Sequence, residues 1–213
     1  TKHASAVWDL LNPKGSTPDN PWVSAGKSDA EAALALMGDD SYKWQFFYAP
    51  GAEWNDFSWQ VNGRLELDIA ALPSDPIDGT VDPRMAAIDA DFRDTGKYNG
   101  TNYAPLTIVS ATEMRLIIAE AELAGGSAGA AITHMNALRT ASGLTAITNE
   151  DAATMLKWER RANLFLQGRR LADMYRYGEK DPMWQSTSDA FTTPGSFLPI
   201  TIGELQSNPL ISR

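Results

Sequence analysis

The sequence contains no cysteine, and this absence removes several classes of function. A chain without a thiol cannot form disulfides, bind zinc through thiolates, use a thiol in catalysis or carry a lipid on a cysteine. Histidine is also scarce, because His3 and His134 are the only two. His134 has no Asp or Ser partner at a diagnostic spacing, which argues against triad or zinc chemistry. We therefore expect neither a metal site nor a cofactor.

Positive charge is the second deficiency. The 18 Lys and Arg residues stand against 27 Asp and Glu, which gives a net charge of −9. No basic stripe offsets this excess, so we expect no nucleic-acid partner. Long apolar runs are missing too, and no stretch approaches the ~20 residues of a transmembrane helix. The length of 213 residues and the 43% apolar content fit one globular domain with a sizeable core.

The chain divides into a first part rich in turn-favouring residues and a later part with helical periodicity. Residues 1 to about 105 hold five of the seven tryptophans and most of the Pro, Asp and Asn residues that favour turns. This composition predicts a loop-rich half. Within it, we predict a helix from Asp29 to Met37, with Ser28 as N-cap and Gly38 as its end. The tail from about residue 179 is predicted to be extended and turn-rich.

The middle of the chain, from about residue 106 to 178, is helical by pattern. Ser110 begins an S-x-x-E capping box, and the helix that follows ends at Gly125. A second helix begins after Ser127, which is its predicted cap, and ends at Gly143. Together they form a hairpin of 34 residues, which is the length of a tetratricopeptide helix pair.

A third predicted helix runs from about Asp151, with Asn149 as its cap, towards Gly178, and Gly168 is a weak point inside it. One helical hairpin cannot bury its own apolar face, so it needs further layers. We therefore predict that the helices of residues 110–178 pack against helices outside these 213 residues. The deciding observation is the solvent exposure of four apolar side chains: Ile117, Ile118, Met135 and Leu138.

Four motifs follow one another along the chain. Asp82-Pro83-Arg84 comes first, then EMRLIIAEAELAGG with the later NALRTASGL, then ERRANLFLQGRRLADMYRYG, and finally FLPITIGELQSNP. In this order they resemble the C-terminal half of the SusD/RagB family of outer-membrane nutrient-binding lipoproteins. Asn163 and Gln167 stand where that family usually has Glu, which weakens an ion-pair network without changing the fold. The matching signature residues are Arg84, Glu113, Glu120, Arg139, Glu159, Arg160, Gly168, Arg170 and Asp173.

The resemblance implies a mainly α fold with a loop-rich half, built from tetratricopeptide-type helical hairpins and an irregular ligand-binding region. It implies a single domain over residues 1–213, as part of a larger protein whose N-terminal helical half is missing from this chain. The implied activity is binding without catalysis: the protein hands an oligosaccharide, or less often a peptide, to a TonB-dependent transporter. The implied location is the cell outer membrane, surface-exposed and peripheral, through a lipid anchor that this chain does not contain.

The stretch YAPGAEWNDFSWQV, residues 48–61, carries aromatic rings without a clean helical or strand period. A sugar presents an apolar C–H face and a rim of hydroxyls, so rigid rings beside amides and carboxylates are its expected complement. The alternative is that these rings pack inward as a small satellite core beneath the loops. The candidate ligand-binding residues are Tyr48, Trp54, Asn55, Phe57, Trp59 and Gln60.

The signature residues are interpreted as structural. Glu159 and Asp173 are each expected to tie the helical part to loops of the first half by charge-assisted hydrogen bonds. Arg169 and Asp173 have the i,i+4 spacing of an ion pair. Glu159 and Arg170 share a helix face if the third helix continues through Gly168.

Other functions stay open on the sequence alone. A helical adaptor that binds protein needs an exposed groove between the helices. A glycoside hydrolase needs two carboxylates at a suitable separation, and Glu53 with Asp56 is one such pair. Asp89, Asp91 and Asp94, followed by Gly96, have part of the spacing of a calcium-binding loop. Arg93 occupies a position that needs an oxygen ligand, so a solvated acidic turn is the default.

Overall fold

Helices dominate the part of the chain that the structure describes, so the mainly α fold predicted from the sequence is confirmed. The structure is a computed structural model, and it describes residues 21–49, 51–56, 72–92, 103–181 and 184–192. The helices are α1 Pro21–Met37, α2 Pro83–Phe92, α3 Ala111–Ala124, α4 Ala128–Ala141, α5 Ala152–Asn163, α6 Arg170–Arg176 and α7 Asp189–Thr192. The strands are β1 Lys43–Phe46 and β2 Leu106–Ser110. Residues 16–170 form one compact unit, and residues from 171 onward belong to a second.

Helix α3 begins where the capping pattern predicted. Ser110 has extended backbone, and its hydroxyl oxygen accepts a hydrogen bond from the backbone N–H of Glu113 at 3.1 Å. The Glu113 carboxylate accepts a 2.7 Å hydrogen bond from Arg169, so it contributes an ion pair to the packing of this helix. The helix ends at the Gly-Gly pair as predicted, with Gly126 at a φ of 83°.

The caps of the next two helices agree only in part with the predictions. Ser127 is the N-cap residue of α4, as predicted, but its side chain makes no capping hydrogen bond. Asp151, and not Asn149, caps α5, because its carboxylate accepts the backbone N–H of Thr154 at 2.8 Å. Gly143 ends α4 at a φ of 69°, as predicted.

The third helix does not run on to Gly178. Helix α5 ends at Asn163, and the chain turns before α6 begins. Within that turn Leu166 has a φ of 56° and Gly168 a φ of 75°, a region that glycine enters freely and leucine does not. Glu159 and Arg170 therefore lie on different helices, and their predicted shared face is wrong.

Helix α1 is longer than the sequence pattern suggested. It begins at Pro21, which suits the first helical position because that position needs no backbone N–H donor. Ser28 therefore lies inside the helix and is not its cap. The end at Gly38 is correct, since the N–H of this residue donates to Leu34 at 3.2 Å and its φ is 69°.

The core lies where α3, α4 and α5 meet, and α1 packs on α3. Of the four residues chosen as decisive, Ile118, Met135 and Leu138 are buried, and Ile117 is half-buried. The layer that α1 supplies was missed, because only half of this helix was predicted. Packing against further helices stays a prediction. The buried cluster comprises Leu116, Ala119, Ala131, Met135, Leu138, Ile147, Ala152, Met155, Leu156 and Leu164.

Strands β1 and β2 form an antiparallel pair that the sequence did not reveal. Trp44 lies opposite Val109 and Phe46 lies opposite Leu106, with an irregularity after Trp44. Strand β2 runs directly into α3, so Ser110 is both the last strand residue and the helix cap. None of the described helices has the length and apolar content needed to cross a membrane.

Candidate functional site

Exposed aromatic side chains are concentrated in one short segment. Among the residues whose side chains the structure describes, the exposed large aromatic side chains all lie between residues 42 and 54. Phe57, Trp59 and Gln60, which the sequence placed in the site, lie outside the described residues. The exposed rings belong to Tyr42, Trp44, Phe46, Phe47 and Trp54.

Two of the predicted rings flank a tight turn. Ala49 and Glu53 pair as an isolated antiparallel bridge, and Gly51 between them has a φ of 81°. Tyr48 precedes the bridge and Trp54 follows it, so both residues lie at the open end of the turn. Trp54 is 50% exposed, whereas Tyr48 is half-buried. We call residues 48, 49 and 51–54 the aromatic turn.

Asn55 anchors the aromatic turn to the body of the unit. Its side chain is 1% exposed, and its amide nitrogen donates to the carbonyl oxygen of Ala104 at 2.7 Å. The sequence placed Asn55 among the ligand contacts, but a side chain with so little exposure is better placed to hold the turn. The polar groups that reach solvent here are the carboxylates of Glu53 and Asp56, both exposed.

Strand β1 presents a second aromatic surface beside the turn. The rings of Trp44 and Phe46 are tilted by 54° with centroids 5.3 Å apart, and the exposed fractions of these residues are 49% and 51%. Their cross-strand partners are the half-buried Val109 and Leu106. We call these four residues the strand face. The alternating YKWQF pattern carried this signal in the sequence, but it was not recognised.

The signature residue Glu159 lies at the centre of a buried group of charges. It is fully buried and binds two arginines through its carboxylate. One oxygen accepts from Arg139 at 2.9 Å, and Arg84 donates to both oxygens, one of them at 3.2 Å. The expected tie between Glu159 and the first half is therefore present, but Arg84 lies in the first turn of α2 and not in a loop.

Two aspartates complete this group, which we call the charge cluster: Asp75, Asp82, Arg84, Arg139 and Glu159. Asp82 accepts two hydrogen bonds from the Arg84 side chain, at 2.7 and 3.0 Å. Asp75 accepts two from Arg139, at 2.8 and 3.1 Å. The three carboxylates and two guanidinium groups leave a formal charge of −1, which hydrogen bonds from neutral donors help to compensate.

Asp75 receives most of those neutral donors. Trp158 donates its indole N–H to the carboxylate at 3.1 Å, and the backbone N–H groups of Ile77 and Asp78 donate at 2.9 and 3.0 Å. Burial raises the pKa of Asp75, but the hydrogen bonds from Arg139 and from the backbone outweigh it and bring the pKa down to about 2. The carboxylate is therefore ionised at neutral pH.

Asn163 shows why one departure from the family pattern is compatible with the cluster. Its amide nitrogen donates to the Glu159 carboxylate at 3.0 Å and to the Glu159 carbonyl at 2.8 Å. An ionised glutamate at this position cannot donate and would add a further negative charge beside Glu159. The amide thus supports the cluster, where we expected a weaker ion-pair network.

The remaining signature residues make smaller contacts. Glu120 lies 3.8 Å from Arg160 in an ion pair between α3 and α5. Arg170 begins α6 and is exposed. Asp173 is buried and accepts a 3.0 Å hydrogen bond from Arg176.

No metal-binding cluster is found in the described part of the chain. No group of three or more His, Asp or Glu residues is arranged there to hold a metal ion. Asp89 and Asp91 lie on α2 and not in the expected turn, whereas Asp94 and Gly96 lie outside the described residues. The His134 imidazole has a buried Nδ1 without a hydrogen-bond partner, and burial together with the positive charge of Arg115 lowers its pKa.

Comparison with known proteins decides the family. The model of the SusD family matches residues 39–213. This chain belongs to the SusD family. The match covers the aromatic turn, the strand face and the charge cluster, and it confirms the resemblance seen in the sequence motifs. Neither the curated proteins nor the solved structures contain a significant match. SusD-family proteins bind nutrients and are not enzymes.

Proposed function

We propose that this chain binds an oligosaccharide and serves as the binding component of a glycan uptake system. In that role it delivers its ligand to a TonB-dependent transporter at the cell outer membrane, where it sits at the surface as a peripheral protein. Membership of the SusD family supports the class of function. The position of the ligand is supported by this chain's own aromatic residues.

The observation that carries the proposal is the exposure of Trp54 at the open end of the aromatic turn. An indole that is 50% exposed retains a large apolar face in water, and a sugar ring can cover that face with its C–H groups. The buried amide of Asn55 holds the following residue to Ala104, which keeps the ring in place before ligand arrives. Glu53 and Asp56 supply hydrogen-bond acceptors for sugar hydroxyls beside the ring.

A glycan array followed by titration calorimetry tests the proposal. The Trp54→Ala variant should lose about 1 to 3 kcal/mol of binding free energy for the best neutral glycan, because a stacked sugar no longer buries the indole. Val81→Ala is the matched control, since Val81 is also 50% exposed but lies outside the aromatic turn. Both variants should keep the unfolding midpoint of the parent chain to within a few degrees.

The same experiment separates the alternatives. Chromatographic analysis of the incubated glycan would reveal shorter products if the chain were a glycoside hydrolase, and that result would contradict the proposal. Equal affinity of the Trp54→Ala variant and the parent would move the ligand away from the aromatic turn. Failure of every glycan to bind would leave the protein-binding adaptor as the better explanation.

A further inference from the structure

The strand face is open although its chemistry is that of a buried sheet face. All four of its residues are apolar, yet Trp44 and Phe46 are about half exposed. The opposite face of the same strand is polar, because the Gln45 amide donates to the Thr107 hydroxyl at 2.9 Å. A two-sided sheet normally turns its apolar side inward, so this apolar face has the character of a contact surface.

The strand face is continuous along the chain with the aromatic turn. Phe46 is the last residue of β1, and Tyr48 follows two residues later. Extended chain advances about 3.4 Å per residue, so the four steps from Trp44 to Tyr48 span up to about 14 Å. A ligand that follows the chain over that full length is longer than a single sugar ring.

The charges around this run are mainly negative, although Lys43, the first residue of β1, is positive and exposed. The exposed Asp39 precedes β1, and the exposed Glu53 and Asp56 flank the far end of the aromatic turn. Within the strand face itself no residue is charged. The whole chain carries a net charge of −9, so an anionic chain approaching this surface is repelled.

We infer that the strand face is a second subsite for the same ligand, and that the ligand is a neutral, extended oligosaccharide that runs from the aromatic turn along β1. This inference rests on the proposed function, because it assigns additional length and a charge class to that ligand. The aromatic turn holds one part of the glycan, and Trp44 with Phe46 holds the units beyond it.

Titration calorimetry with chain-length pairs tests the inference. The neutral probes are maltose with maltohexaose and cellobiose with cellohexaose, and the anionic probe is hexagalacturonate. The double variant Trp44→Ala/Phe46→Ala should bind the preferred hexasaccharide about tenfold more weakly, because two half-exposed rings no longer stack on sugar. Its affinity for the disaccharide should be unchanged, whereas Trp54→Ala should weaken both.

Two further variants keep the test decisive. Trp44→Leu retains apolar packing against Val109 but removes the ring, so it reports on stacking if the alanine variant folds poorly. Gln45→Ala changes the opposite face of the same strand and should bind like the parent. A length-dependent loss in both Trp44 variants, with Gln45→Ala unaffected, supports the second subsite.

Several results would overturn it. Unchanged hexasaccharide affinity in the Trp44 variants, with a loss in Trp54→Ala, refutes the second subsite and leaves the proposed function standing. Tighter binding of hexagalacturonate than of the neutral hexasaccharides refutes the inference that the ligand is neutral. Sedimentation that shows a dimer of the parent but a monomer of the Trp44 variants assigns the strand face to a second copy of the chain. Absence of binding by any glycan removes the proposed function and the inference with it.

Discussion

At the scale of single residues, the buried carboxylates show how much of the fold depends on charge compensation. Asp75 is 1% exposed and keeps its charge because a guanidinium, an indole and two backbone N–H groups donate to it. A carboxylate in this position stabilises the folded chain only while it is ionised. Its contribution must therefore depend on pH.

The expected pH dependence follows from the direction of the shift. The pKa of Asp75 is lowered from 3.8 to about 2, so the unfolded chain binds the proton more readily than the folded one. Stability is then fully present above about pH 4 and is lost as pH falls towards about 2. The loss should be on the order of 2 kcal/mol. Urea unfolding of the parent and of Asp75→Asn across this range measures it, and an equal slope in both would contradict the assignment.

The sequence could reveal some of these residues and not others. Arg84, Arg139 and Glu159 stood out because they belong to recognisable motifs. Asp75 did not, since its role depends on a fold that brings it beside Arg139, which is 64 positions away in the chain. A local pattern cannot report a contact of that separation. For the same reason the burial of Asn55 against Ala104 was not foreseen.

At the scale of elements, local signals predicted helix ends better than helix starts. Gly38, Gly126 and Gly143 follow helix ends as expected, because each has a positive φ that other residues avoid. Starts were harder, since several Ser, Asn and Asp residues compete to be the cap. Asn149 and Asp151 illustrate this, and the structure selects Asp151.

The cap of α5 gives a direct prediction. Asp151→Ala should destabilise the chain by about 1 kcal/mol, because the N–H of Thr154 loses its acceptor at the start of the helix. Asn149→Ala is the control from two positions earlier, and it should change the free energy of unfolding by a few tenths of that value. Thermal or chemical unfolding of both variants measures the difference. A larger loss in Asn149→Ala would restore the cap predicted from the sequence.

The pairing of β1 with β2 was beyond reach from local pattern. The two strands are separated by about 60 residues, and each has only four or five residues of its own. Strands this short resemble loops in composition, and their partner choice depends on tertiary contacts. The strand face, which the pairing creates, was missed together with it.

At the scale of the whole molecule, the charge cluster links the start of α2 and the Asp75 loop to α4 and α5. Glu159 is its shared acceptor, because it binds both Arg84 and Arg139. The Glu159→Gln variant should lose about 3 to 5 kcal/mol of stability, since two buried cations keep only part of their compensation. Asp40→Asn is the control: it weakens the more exposed pair with Arg115 and should cost less than about 1 kcal/mol.

Unfolding by denaturant, together with glycan titration, decides what the cluster does. A large loss of stability in Glu159→Gln with unchanged affinity of the folded fraction supports a structural role. If Glu159→Gln and Asp40→Asn lost equal free energy of unfolding, the buried cluster would contribute no more to stability than an exposed ion pair. Loss of glycan affinity with unchanged stability would place Glu159 in the binding site.

A crystal structure of the chain with a bound neutral oligosaccharide would show whether Trp54 is a sugar-binding ring. The measured quantity is the position of the sugar relative to the indole. We predict a sugar ring stacked on the exposed face of Trp54, with hydroxyls within hydrogen-bonding distance of Glu53 or Asp56. A sugar bound elsewhere, with the Trp54 face covered by the protein's own side chains, would contradict it.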